Sequence, residues 1–412
     1  MKLFERIPFL TSLRIRVLWP ILALALLVAW NGPAQAQTTT RILDLSSLYQ
    51  TDPRALALGN AYGSIARGEG ALLYNPAGLV QYNLDIKIDA GLAVEGEEGD
   101  FLSDTYDVLD SGTSAELLAY LGKYLGTTQN YRGQTFYNIV ANLSLFNMGF
   151  GGGVMEQTRY AFEFEDTNTN AATDLTDTFI ETKRNLDITF GSFGFAILDG
   201  QWMIGVTMKS FTYTEESASA TFGDVIVNGN VDLTTVGNSY KGSGYDVGMI
   251  WRLEWLGFLR GQWSLVAQNV GDITMTATGA DTLLIPGTYN VGFAIQPDIS
   301  FLPINVVMSA EVEDVTGEIM VFDPIDGLEH ERGTKQRSHY GVEVGMFSTT
   351  TGNNILNVRV GAHRGFLSYG YELNLFSAFR LIYTNYRENL GHSDAQDLHD
   401  YDLYQLSLGF GF

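Results

Sequence analysis

The chain has 412 residues, a formal charge of −23 and no cysteine. An acid excess of that size excludes nucleic acid as a natural partner, and the lack of thiols excludes disulfides and thiolate-bound metals. Gly 45, Phe 24 and Tyr 21 against Pro 9, with near-neutral hydropathy and no later apolar run of membrane-helix length, favour a large barrel over two or three soluble domains.

At the start, Lys2, Arg6, Arg14 and Arg16 outnumber the single acid Glu5. The apolar run Val17 to Trp30 follows, too short to cross a bilayer comfortably, and then the small-residue stretch Ala34 to Ala36. Residues 1–36 therefore read as a cleaved secretory signal peptide, the alternative being a retained anchor helix. Removing the signal would leave the chain more acidic still.

Residues 37–80 show no membrane-crossing pattern. They are rich in small residues (Ala55, Ala57, Gly59, Ala61, Gly63, Ala66) and end in "ALLYNPAGL", 71–79. Small side chains suit close approach to a surrounding sheet. Pro76 removes a backbone donor and biases Asn75 toward an extended conformation, and the Asn75 amide can bond backbone groups left free at the turn. We expect a plug here, with Asn75, Pro76 and Ala77 as its turning element. An ordinary turn before the first strand is the alternative.

From Tyr82 the even positions are apolar as far as Val94 and most odd ones are polar, the period-two signature of a two-faced strand. The same template places strands near 82–95, 134–145, 148–164, 181–198, 201–214, 243–253, 259–270, 288–297, 303–313, 338–347, 354–363, 366–374, 378–387 and 402–412. Fourteen is an even number. Long polar connections after most odd strands and tight ones after even strands predict an all-β transmembrane antiparallel barrel over 81–412, with both termini in the periplasm. A lumen of this size must be open or plugged.

The first long connection contains "TSAELLAYLGKYL", with Thr113 and Glu116 as a capping box and Leu117, Leu118, Leu121, Tyr124 and Leu125 on one helical face. That face either packs on the barrel mouth or forms an external apolar site. The third strand opens on "MGFGGGVM", where Gly149, Gly151, Gly152 and Gly153 either permit a bulge or kink or make room for the plug. "DTNTNAATDLTD" from Asp166 begins like a calcium loop, but Ala171 stands where such a loop needs glycine, so a solvated polar loop is the better reading. His330, His339, His363, His392 and His399 are scattered without metal spacing or a neighbouring nucleophile. Neither enzyme activity, nor a metal, nor a cofactor is expected. At the end Tyr404, Leu406, Leu408, Phe410 and Phe412 share one face. Phe410 and the terminal Phe412 read as the sorting signal for the outer-membrane assembly machinery.

"RALALGNAYGSIARGEGALLYNPAGL", residues 54–79, resembles the N-terminal signature of the long-chain fatty-acid transporter superfamily, the FadL/TodX group. The related PorV/PorQ-like branch is resembled too, also through "SLVAQNVGDI" at 264–273, "IPGTYNVGFAI" at 285–295, "HYGVEVGM" at 339–346 and "NVRVGAHRG" at 357–365. The resemblance implies a bacterial outer-membrane barrel with a hatch at 37–80. For the fatty-acid branch it also implies a kinked third strand that opens the wall sideways into lipid. The family's external groove is usually built from later loops, so the helix near 113–125 departs from it. The expected function is passive uptake of a hydrophobic small molecule, in contact with membrane lipid. The alternative is a PorV/PorQ-like partner for secreted or surface proteins, binding through acidic loops at 165–180, 215–242 and 314–337.

Overall fold

The computed structural model describes residues 40–42, 52–81, 84–95, 129–165, 178–221, 236–277, 282–299, 302–317, 319–323, 328–348, 354–375, 378–389 and 398–411. The signal segment, the helix expected near 113–125, the loop after Glu165 and Phe412 fall outside the described residues, as does the side chain of Phe410.

Fourteen strands close into one antiparallel barrel. They are β1 (Leu84–Glu95), β2 (Gln129–Leu145), β3 (Met148–Glu165), β4 (Thr178–Ile197), β5 (Trp202–Thr221), β6 (Val236–Leu253) and β7 (Gly261–Gln268). The second half comprises β8 (Thr288–Ile295), β9 (Ile304–Val312), β10 (Ser338–Ser348), β11 (Asn354–His363), β12 (Phe366–Leu375), β13 (Phe379–Asn389) and β14 (Leu398–Gly411). Each pairs with its neighbour in sequence, and β14 closes on β1 from Tyr401↔Glu95 to Gly411↔Asp85. Among the described residues no helix is long and apolar enough to cross a membrane. Closing the ladder satisfies every interior strand edge, which is the condition for a sheet to stand in hydrocarbon.

The alternation is inside out relative to a soluble protein. Ile86 and Ile88 are 44% and 53% exposed, whereas Asp85 and Asp89 are 1% exposed. On β14 Tyr404, Leu406 and Leu408 likewise face outward. Apolar side chains meet lipid and polar ones line the interior, as in a membrane barrel.

Strands β2 to β6 are 17 to 20 residues long, while β7 to β13 have 8 to 11. The long strands exceed the sequence expectation at the ends away from the tight turns. There the outward residues turn polar, as at Glu156 and Asp187, so the apolar half of the alternation lies inside. Residues 215–221 and 236–242, expected in an acidic loop, are accordingly strand.

Of the two readings of the glycine run on the third strand, a break in the ladder does not occur. Pairing with β2 continues through Ser144↔Gly149, Asn142↔Gly151, Ala141↔Gly152 and Val140↔Gly153, and pairing with β4 runs unbroken from Met148 to Glu165. No ladder gap opens at Gly149, Gly151, Gly152 and Gly153; the space left at Gly149 and Gly151 is taken by Leu72 and Leu79, while Gly152 and Gly153 face neighbouring wall strands.

The connection between β7 and β8, expected as a long polar one, carries buried apolar residues. It turns into the lumen, where Ile273–Met275 and Thr282–Ile285 pair antiparallel, and Thr40–Ile42 pairs in parallel with the second of these.

Candidate functional site

Residues 52–81 lie within the ring of strands. Asp52 caps the helix α1 (Pro53–Ala57), its carboxylate accepting from the Arg54 backbone N–H at 2.8 Å. A second short helix, α2 (Glu69–Leu73), and a 3-10 turn at Pro76–Gln81 lead to β1. Hydrogen bonds run from this segment to wall strands on several sides. Thr384 on β13 donates to the Pro53 carbonyl at 2.9 Å, Gln262 on β7 to the Ser64 carbonyl at 2.6 Å, and the Gly63 N–H to Glu311 on β9 at 2.7 Å.

Asn75 is fully buried. Its Oδ1 accepts from the Ala77 N–H at 3.1 Å, and its Nδ2 donates to the Gly63 carbonyl at 2.8 Å and to the Met249 carbonyl on β6 at 3.4 Å. One amide thus ties two turns of the segment together and to the wall.

The wall is shaped to receive that turn. Gly149, Gly194, Gly205 and Gly248 stand directly opposite one another across β3, β4, β5 and β6. A Cβ on Gly149 would lie 2.8 Å from Leu79 Cβ, one on Gly205 2.6 Å from the Ala77 nitrogen, and one on Gly248 2.9 Å from Pro76 Cδ. A Cβ on Gly151 would meet Leu72 Cδ2 at 2.8 Å. The room in the wall is therefore filled by residues 72–79.

A second seat lies across the barrel. Gly341 on β10 pairs with Gly361 on β11, and Gly370 follows on β12. Added Cβ atoms would stand 2.9 Å from Leu58 Cβ, 2.9 Å from the Ala57 carbonyl and 2.8 Å from Ala57 Cβ respectively.

Beside this seat the interior is ionic. Arg54 Nε and Nη2 donate to the two oxygens of Glu343 at 2.8 and 2.9 Å, Arg359 Nε donates to Glu343 at 2.6 Å, and Arg359 also pairs with Glu372. From α2, Glu69 accepts from Arg380 Nη2 at 2.7 Å, with Lys87 at 3.7 Å. Burial opposes ionisation of Glu69, but Arg380 and Lys87 outweigh it and hold the carboxyl well below the usual range. Burial pushes the Tyr62 hydroxyl up to about 12.

His339 and His363, far apart in sequence, are cross-strand partners whose facing nitrogens are 3.1 Å apart. His339 Nδ1 also lies 2.9 Å from the Gly59 carbonyl oxygen. Their register could not be read without the strand pairing. Among the described residues no group of three or more His, Asp or Glu could hold a metal ion.

The opposite half of the lumen is apolar. Val140, Met155, Leu186, Ile188, Phe190, Phe211, Tyr213 and Tyr240 project inward from β2 to β6 and form one cluster with Leu72 and Leu79. At the end of the barrel that carries the tight turns, an opening of about 570 Å³ lies between the segment and the wall, lined by Arg54, Arg67, Gln81, Arg252, Gln262 and Asn305 among others.

No family model matches the sequence, and no curated protein matches it. Solved structures do. The Ralstonia pickettii toluene transporter TbuX superposes with a TM-score of 0.53 at 12% identity, over 87% of this chain and 98% of that one. The Pseudomonas putida toluene transporter TodX gives 0.47 at 11%, over 86% and 98%, and a Pseudomonas aeruginosa FadL homologue 0.39 at 10%, over 88% and 98%. At such identities the likeness speaks for architecture: the chain has the outer-membrane barrel fold of TbuX.

Proposed function

We propose that the protein is a passive outer-membrane channel for hydrophobic small molecules, with residues 37–80 as its hatch. The observation that carries this reading is the apolar half-lumen. A water-filled pore has a polar interior, whereas here Met155, Ile188, Phe190 and Phe211 extend an apolar surface from the extracellular end down to Leu72 and Leu79. Apolar solutes partition readily into hydrocarbon but cross a polar outer leaflet slowly. An apolar track through the wall of charge removes that barrier without energy input. TbuX, a toluene transporter, agrees in solute class.

In this reading solute descends along β3 to β5, and movement of the hatch off the glycine seats connects the track to the opening at the end that carries the tight turns, on the periplasmic side. Since the β3 ladder is continuous, no sideways exit at Gly149 to Gly153 is invoked.

The test is uptake of a hydrophobic fluorescent probe into liposomes bearing the purified protein, against a polar probe of similar size. Ile188→Asn places a polar amide on the track and is expected to cut hydrophobic uptake about tenfold, an effect of about 1.4 kcal/mol on the barrier, with normal heat-modifiable migration. Equal uptake by folded wild type and variant would remove the apolar track from the mechanism. Absence of uptake in wild type would leave the secretion-partner alternative as the better account.

A further inference from the structure

Strands Ile273–Met275 and Thr282–Ile285, between β7 and β8, occupy the apolar half-lumen as a ligand would. Ile273, Met275, Leu283 and Ile285 are at most 1% exposed and pack in the same cluster as Met155, Ile188, Phe211 and Tyr240. β6 makes room for them: a Cβ on Gly244 would lie 2.6 Å from Ile273 Cγ1, and one on Gly242 2.8 Å from Met275 Cγ.

The attachment is light at the inner end and firm at the base. Toward the wall, Lys241 and Thr276 form an isolated bridge with two backbone bonds of 3.1 Å. At the base Asn269, Gly271 and Asp272 take φ of 51°, 83° and 59°, a sharp reversal that Asn and Asp tolerate and Gly permits. Lys209 Nζ donates to Asn269 Oδ1 at 3.1 Å and pairs with Asp246 at 2.7 Å, while Asp246 Oδ1 accepts the Asn269 N–H at 2.8 Å. The Gly287 N–H donates to Asp272 Oδ1 at 2.7 Å and closes the neck. A fixed neck with a short apolar hairpin beyond it can swing as a unit.

We propose that the paired strands Ile273–Met275 and Thr282–Ile285 form a lid that holds the apolar lumen shut by filling it, and that an uncharged hydrocarbon solute opens it by taking their place. The exchange costs little, because solute and hairpin bury comparable apolar surface against the same walls. Lys209 is already paired with Asp246, so the walls favour a neutral solute over a charged one. The lid also reaches the N-terminus: Thr282–Leu284 is the parallel partner of Thr40–Ile42, and withdrawal of the hairpin breaks that pairing. Solute entry and release of the hatch's leading strand are thereby one event.

This inference rests on the transport reading, and its test separates the two. The chain has no cysteine, so Lys241→Cys with Thr276→Cys places one new disulfide across the isolated bridge, at a Cα separation of about 5.5 Å that suits such a bond. Oxidised protein in liposomes should take up N-phenylnaphthylamine at least about tenfold more slowly than the same protein after reduction, which should match wild type. Equal uptake in the two redox states would overturn the lid. If neither the reduced variant nor wild type takes up the probe, the transport reading fails, and Leu283→Cys then judges the lid alone. Labelling of that cysteine by a maleimide should rise at least about tenfold when dodecane is added in detergent. Unchanged protection with dodecane would overturn the lid irrespective of transport.

Discussion

Pro76 rests on Gly205 so closely that a methyl group at position 205 would overlap the Pro76 carbonyl. The seat is backbone against backbone, and side-chain rotation cannot relieve a clash there. Gly205→Val should therefore displace the 75–79 turn at a cost of about 1–3 kcal/mol while β5 keeps its pairing. Limited proteolysis would reveal newly cleavable bonds within 52–81 in a protein that still migrates as a folded barrel. Gly151→Val should act in the same direction by striking Leu72 and Leu79, though side chains there can yield and the effect should be smaller.

Asn75→Ala deletes three hydrogen bonds at a site without solvent access, leaving the Gly63 and Met249 carbonyls and the Ala77 N–H without the amide. We expect the hatch to lose about 1–3 kcal/mol of local stability and hydrophobic uptake to change, with barrel melting within a few degrees of wild type. Hydrogen exchange at Gly63 and Ala77 is the direct measure. Unaltered exchange and uptake together would reduce Asn75 to a filler.

Glu69 should make hatch docking sensitive to strong acid only. Its folded carboxyl titrates below its ordinary value of 4.5, so its contribution is complete above that value and is lost as pH falls through the lower native one. The difference in proteolytic protection of 52–81 between wild type and Glu69→Gln should be flat from neutrality to about pH 5. Glu69→Gln, which leaves Arg380 and Lys87 without this carboxylate, should weaken protection by about 3–5 kcal/mol at neutral pH.

The terminal strand offers a test of assembly. β14 closes the barrel on β1, and its outward Tyr404, Leu406 and Leu408 continue in phase to Phe410 and Phe412 in the sequence. Deleting Phe412 should lower the folded outer-membrane fraction about tenfold, the protein accumulating unfolded or degraded in the periplasm. Fractionation with heat-modifiability gels reports the outcome.

All fourteen strands were legible in the sequence because lipid on one side and a polar interior on the other impose the simplest alternation a chain can carry. Legibility stopped where that contrast stopped. Above the membrane, β3 and β4 turn Glu156 and Asp187 outward and keep Met155 and Ile188 inside, so the apolar phase reads as its own opposite. The small residues and Asn75-Pro76 marked out 52–81 as a segment apart from the strands, yet the glycines it rests against were not visible. Gly194, Gly205 and Gly248, on the successive strands β4, β5 and β6, become a row only once the strand register is known. The same holds for the His339–His363 pair. At Gly149 to Gly153 the sequence left two readings open, and the geometry favours the one in which the wall makes room. The lumen hairpin carried a faint signal in Ile273, Met275 and Ala277, an alternation too short to separate from an ordinary loop.

The inequality of strand lengths gives the molecule a direction. At about 3.3 Å per residue and a tilt of about 40°, the twenty residues of β5 rise roughly 30 Å farther than the eight of β8. Among the described residues the wall therefore stands higher on the flank of β2 to β6 than on that of β7 to β13. A compound that collects at the cell surface would then meet the apolar face of that wall while moving sideways along the surface, with no need to leave for bulk water first.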